Sequence, residues 1–133
     1  MVLDAEGVVK LANGDPRVTA RTKLAHARNA TVVTAATTLA EVLRGGPRDA
    51  RVHKALRRVT VISIHANDGR AAGELLGQLQ LSGHRHALDA LLAAVTLAQP
   101  RPVVLLTSDQ KDMQRLTDEP GRPRRERVTV VHI

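Results

Sequence analysis

The sequence contains no cysteine, phenylalanine, tyrosine or tryptophan. Without cysteine, a disulfide framework and a thiolate zinc site are both excluded, which fits a protein kept in a reducing cytoplasm. Without aromatic rings, the base-stacking platforms used by most single-strand binders are not available. Any nucleic-acid partner has to be held by Arg, Lys, His and backbone groups. No apolar run approaches the roughly 18 residues that a bilayer-spanning helix requires, so no membrane partner is expected. The opening Met1-Val2-Leu3-Asp4 lacks the basic stretch and apolar core of a secretory signal, and the expected localisation is cytoplasmic.

The chain has 133 residues, a length that suits a single domain over 1–133 with a core of Leu, Val, Ile and Ala. Twenty Lys and Arg against thirteen Asp and Glu give a formal charge of +7. Such a balance attracts polyanions, although Arg- and Ala-rich compositions also arise without any such partner.

Short apolar runs at 1–3, 31–35, 59–64, 103–107 and 128–133 are rich in Val, Ile and Thr. The central ones are nearly continuous hydrophobic strings, the pattern of strands buried on both faces. Between them, helical periodicity covers 5–13, 17–28, 38–44, 49–58, 68–80, 86–98 and 109–117. Strands separated by helices require crossovers. The pattern predicts a three-layer α/β/α domain with a central, mostly parallel sheet of about five strands. Breakers agree: Gly45-Gly46-Pro47, Pro100-Arg101-Pro102 and Glu119-Pro120-Gly121-Arg122-Pro123 fall between elements. The last of these leads into Arg124-Arg125-Glu126-Arg127, read here as a mobile basic stretch.

Four of the thirteen acids occupy particular places. Asp4 follows the first strand, Asp109 follows the fourth, and Glu41 lies on the helix after the second. In an open α/β sheet, ligands bind outside the carboxyl ends of the strands, where these three converge. Asp89 lies near the start of the most apolar helix, among Leu88, Leu91 and Leu92, where an uncompensated carboxylate is costly. Each acid also has a purely structural reading. Thr38-Leu39-Ala40-Glu41 fits a capping box, Asp109 fits an N-cap with Asp112 completing its box, and Asp4 and Asp89 fit first-turn acids favoured by the helix dipole. Taken together, however, four neighbouring carboxylates require either a shared proton or a cation. Hard oxygen ligands select Mg²⁺ or Mn²⁺, and such an ion suits phosphodiester hydrolysis because it acidifies water and stabilises charge on the leaving oxygen.

The ordered pattern resembles the PIN-domain family, in particular its VapC-type toxin ribonucleases. That family opens with a strand ending in Asp, as in Val2-Leu3-Asp4-Ala5. A Glu follows on the helix after the second strand, as in Thr37-Thr38-Leu39-Ala40-Glu41-Val42-Leu43. The third acid starts a long helix, as in His86-Ala87-Leu88-Asp89-Ala90-Leu91-Leu92, and the fourth ends a strand in a turn such as Leu105-Leu106-Thr107-Ser108-Asp109. The resemblance implies a PIN-like fold in which Asp4, Glu41, Asp89 and Asp109 bind Mg²⁺ or Mn²⁺ and activate water. Thr107 and Ser108 would then support the site or contact substrate, and Asp112 would replace or supplement Asp109. The implied function is an endoribonuclease acting on RNA, the toxin of a type II toxin–antitoxin pair, neutralised by a cognate antitoxin protein and dimeric through its Ala- and Leu-rich helices. Glu6 departs from the family pattern; it is either an extra acid beside the site or a first-turn residue facing solvent, and the second reading is preferred.

Setting the four acids aside leaves nine against twenty basic residues, so an acidic pit within a basic rim is expected. Arg17, Arg21, Lys23, Arg28, Arg44 and Arg48 are the candidates for holding an RNA backbone. His84 and His86 precede Asp89 and are read as surface-loop residues, with phosphate contact or proton transfer as the alternative. Two rivals remain: a binding module without turnover, and a phosphoaspartate-type phosphatase with Asp4 as nucleophile. The second leaves Glu41 and Asp89 without a role and finds Glu6 where a second Asp would be expected.

Overall fold

The computed structural model describes residues 1–133. In chain order it contains β1 (Val2–Leu3), α1 (Ala5–Ala12), α2 (Pro16–Ala27), β2 (Val33–Ala35), α3 (Ala36–Val42), α4 (Ala50–Leu56), β3 (Thr60–Ile62), α5 (Ala66–Leu79), α6 (Gly83–Leu97), β4 (Val104–Thr107), α7 (Gln110–Leu116) and β5 (Thr129–His132), with 3-10 turns at Pro47–Asp49 and Arg124–Glu126. All five strands are parallel, in the order β3-β2-β1-β4-β5.

Strand alternation divides the core into two layers. Val2, Val33, Val103 and Leu105 point to the face covered by α5, α6 and α7, where they meet Ala72, Ala90, Leu92, Met113 and Leu116. Leu3, Val32 and Leu106 point to the opposite face and meet Val8, Val18 and Val52 of α1, α2 and α4. Successive side chains on a strand face opposite sides, so a strand covered on both sides reads as an unbroken apolar run. This accounts for the uninterrupted strings at 31–35 and 103–107. The three-layer α/β/α sandwich with a five-stranded parallel sheet is the expected architecture. No helix is long and apolar enough to cross a membrane.

Several element boundaries differ from the periodicity reading, each for a local reason. Helix α2 starts at Pro16, with Asp15 accepting from the Arg17 and Val18 N–H groups; proline at the first helical position needs no N–H partner. Helix α3 begins at Ala36, directly out of β2, because Thr38 is buried at 1 % exposure and does not cap. Helix α4 begins at Ala50; the buried Asp49 instead accepts from the Arg44 and Gly45 N–H groups through Oδ2. The Arg44 bond foremost holds its carboxyl below the usual range. Helix α5 begins at Ala66, and Asp68, in its first turn, accepts from the His65 N–H. Helix α6 begins at Gly83.

The stretch at 124–127 is also corrected: it is pinned. Arg127 donates to the carbonyls of Arg122 and Pro120, both at 2.9 Å. Glu119 joins Arg101 and Arg122, each at 2.7 Å.

Leu106 is fully buried between β1 and the α1/α2/α4 layer. Its truncation to Ala should cost about 2–5 kcal/mol by lost transfer free energy and a residual cavity. Urea unfolding measures this; a loss under about 1 kcal/mol would contradict the packing described.

Candidate active site

The strand order reverses direction between β1 and β4. The chain moves from β1 outward through β2 and β3, then returns to place β4 on the other side of β1. A crevice opens at such a switch point, beyond the carboxyl ends of the two strands. Asp4 and Asp109 are the residues met as the chain leaves β1 and β4.

Asp4 has both oxygens engaged. Oδ1 accepts from the Gly7 N–H at 2.6 Å and caps α1; Oδ2 accepts from the Ser108 N–H at 3.0 Å. The Asp4 N–H donates to the Leu106 carbonyl at 3.1 Å. Asp4 is therefore both a helix cap and a brace between β1 and the turn after β4. Gly7 allows this close approach: a Cβ there would lie 3.2 Å from Asp4 Oδ1 and 3.3 Å from the Leu3 Cβ. Asp109 is the N-cap of α7, with Oδ1 accepting from the Asp112 N–H at 3.2 Å. Its own N–H donates to Thr107 Oγ1 at 3.0 Å. Thr107 is 1 % exposed and supports the turn through this bond. Ser108 is exposed and contributes its backbone N–H.

Glu41 and Asp89 reach the same edge from α3 and α6. Neither occupies a first turn, so the capping-box reading of Glu41 and the dipole reading of Asp89 both fail. Burial raises the pKa of Glu41, with Asp89 and Asp4 adding to the rise. Burial likewise raises that of Asp89; Asp109, Asp112 and Asp4 reinforce the shift, and His86 opposes it. Glu41 thus feels Asp89 and Asp4, and Asp89 feels Asp109, Asp112 and Asp4. No three His, Asp or Glu side chains of the chain stand close enough together to hold a metal ion between them.

His86 is the residue whose place the sequence reading missed. It lies on α6, not in a loop, and its Nδ1 stands 3.9 Å from Asp89 and 3.7 Å from Asp112. The three-residue spacing between His86 and Asp89 was the available signal, since such positions share a helix face. Glu6 lies in the first turn of α1, 4.0 Å from Lys10.

A family model described as PIN domain matches residues 1–119. The chain belongs to the PIN domain family. Among solved structures, this PIN domain is similar to a chain of the VapBC2 complex from Rickettsia felis, whose crystal structure includes a DNA fragment from its promoter. The two are 22 % identical with a TM-score of 0.71, over 99 % of this chain and 97 % of that one. At that identity the likeness speaks for the fold. No match is found among curated proteins.

The donor set of this PIN domain is all oxygen, suited to Mg²⁺ or Mn²⁺. Magnesium takes one or two carboxylates directly and keeps several waters, so an open array of acids fits it without a closed cage. Arg17, Arg21, Lys23 and Arg28 all lie exposed on or just beyond α2. Arg44 donates to the Ala40 and Leu43 carbonyls, and Arg48 is exposed in the first 3-10 turn. On the Ala- and Leu-rich helices, Leu75, Leu76, Leu79 and Leu91 are partly buried against the core. The exposed large hydrophobics are Leu24, Val61 and Leu88, on three different elements.

A carboxylate whose pKa rises on folding favours the folded chain below its unfolded pKa and loses that contribution as pH climbs through the raised value. Glu41 and Asp89 are both of this kind. In chelator, Asp89→Asn is expected to raise Tm at neutral pH and to flatten its decline above about pH 4. A lower Tm at neutral pH, measured by thermal melts across the pH range, would contradict the assignment. Gly7→Ala forces Asp4 Oδ1 to give way by a few tenths of an ångström. The expected result is a weakened divalent-ion affinity by titration calorimetry with the fold retained by circular dichroism; unchanged affinity would show that the Asp4 brace does not govern the site.

Proposed function

We propose that this chain is a Mg²⁺- or Mn²⁺-dependent endoribonuclease, with Asp4, Glu41, Asp89 and Asp109 as its metal-binding and catalytic acids. What supports the reading is that Asp4, Glu41, Asp89 and Asp109 come from the elements bordering the β1/β4 switch point, and that the Glu41 and Asp89 carboxyls feel acidic neighbours among them. Membership of the PIN domain family supports nuclease activity in general.

When bound, the divalent ion lowers the pKa of a coordinated water and offsets charge on the leaving oxygen. The chain's own groups do the rest. Asp4, fixed at both oxygens by backbone N–H donors, keeps its orientation without rearrangement. Asp109 is held by Thr107 and by its capping bond, with Oδ2 outside these bonds. Glu41 and Asp89, from α3 and α6, complete the set of carboxylates that would hold the ion. Asp112 supplements Asp109 through its place beside His86.

The fold likeness to a chain of a VapBC2 complex supports a further step: this protein is the toxin of a type II toxin–antitoxin pair, neutralised by a cognate antitoxin and active as a homodimer.

Purified protein should cleave RNA in Mg²⁺ or Mn²⁺ and not in chelator. Asp4→Ala and Asp89→Ala are each expected to reduce cleavage by roughly 100-fold or more, beyond the loss usual for groups that only orient metal ligands. Cleavage that survives both changes overturns the assignment.

A further inference from the structure

The parallel sheet ends on one side at β5, which pairs with β4 and with no other strand. The Thr129 and Ile133 N–H groups donate to the Val103 and Thr107 carbonyls, at 2.9 and 3.1 Å. Alternate residues of a strand direct their backbone groups to opposite edges. The N–H and C=O groups of Val130 and His132 therefore face away from β4. An edge of this kind is a template for another strand.

A groove of about 520 Å³ lies between α7 and this strand. Val128 and Val130 line it from the strand side. Lys111, Gln114 and Arg115 line it from α7, and all three are exposed. Their spacing puts them on one helix face. Arg127 also lines the groove and stands 3.9 Å from Asp118, the only acid in the lining. Arg115 stands 3.6 Å from Asp112, and Lys111 pairs with no carboxylate. Three cations against one acid leave the groove positive, directly beside the open donors and acceptors of β5.

We infer that the β5 edge and this groove form a docking surface for an extended, acidic segment of a partner protein, added to the sheet as a further strand. Two features select that occupant. A polypeptide offers N–H and C=O groups at the spacing of the edge itself, and its alternate side chains fall along the groove. Glu side chains at those positions lay their methylene stems over Val128 and Val130 and bring their carboxylates to Lys111 and Arg115. RNA supplies phosphates for the cations but no ladder of amide and carbonyl groups for the strand. A second copy of this chain fits worse. Antiparallel pairing of two β5 edges brings the basic faces of both α7 helices to one seam, and charged side chains in such places keep sheet edges apart. None of Asp4, Glu41, Asp89 and Asp109 takes part, so the surface stands or falls apart from the nuclease reading.

The test uses the full chain and a fluorescent peptide of about six residues, the length of an ordinary strand, in which Glu alternates with Val. Anisotropy is expected to show saturable binding. The double variant Lys111→Glu/Arg115→Glu, at two exposed positions, should weaken it roughly tenfold or more by reversing two charge contacts. Exchanging Glu for Lys in the peptide should abolish it. Amide hydrogen exchange followed by NMR gives a readout that needs no variant. With peptide bound, the Val130 and His132 amides are expected to slow, while those of Thr129 and Ile133, already bonded to carbonyls, change little. Absent binding, or equal binding by wild type and double variant, overturns the inference. So does a bound peptide that leaves the Val130 and His132 amides exchanging as before. Polyuridylate binding that the double variant loses, with no peptide binding, would assign the groove to RNA instead. Slowing of the same two amides with rising protein concentration, without peptide binding, would assign the edge to a second copy.

Discussion

Both oxygens of Asp4 are committed to backbone N–H groups, one in α1 and one in the turn after β4. Hydrogen bonds to an ionised acceptor are shorter and stronger than neutral ones, and this pair spans a sequence separation of 104 residues. The brace sets the entry angle of α1, ties β1 to β4 at their carboxyl ends, and aims a charge at the crevice between them. Thr34 adds a parallel tie on the other side, its hydroxyl donating to the Leu3 carbonyl at 2.8 Å. The local geometry of the site follows from these few bonds and from the glycine at position 7 that leaves room for them.

The same edge is electrostatically unfavourable by itself. Glu41 and Asp89 are both pushed toward protonation by burial and by their acidic neighbours. Like charges held together in a partly dry place shift protons or recruit a cation. The half-buried His86 between Asp89 and Asp112 is a partial internal answer. The stability contributed by burying Leu3, Leu105 and Leu106 holds the strands whose carboxyl ends carry Asp4 and Asp109.

The layer order was legible from residue types because strand strings, helix periods and breakers all agreed. Alternation within Val32-Val33 and Leu105-Leu106 even contains the assignment to opposite faces. What escaped was short-range. Thr38 looks like a cap until β2 runs directly into α3 and buries it. Helix α6 starts at Gly83 rather than 86, which moves Asp89 into the helix body and carries His86 onto the site-facing side. Arg124-Arg125-Glu126-Arg127 reads as a free tail by composition, yet carbonyls of the preceding loop hold it.

The central claim is that positions 4, 41, 89 and 109 address one cation. Addition of substoichiometric Mn²⁺ to isotope-labelled protein, followed by amide NMR, tests it directly, because the paramagnetic ion broadens resonances near it. The account predicts that the amides of Ala5, Glu41, Asp89, Ser108 and Asp109 broaden together and first, and that Mg²⁺ competes the effect away. Broadening centred on Asp118 and Glu119, or spread evenly over the surface acids, would contradict it.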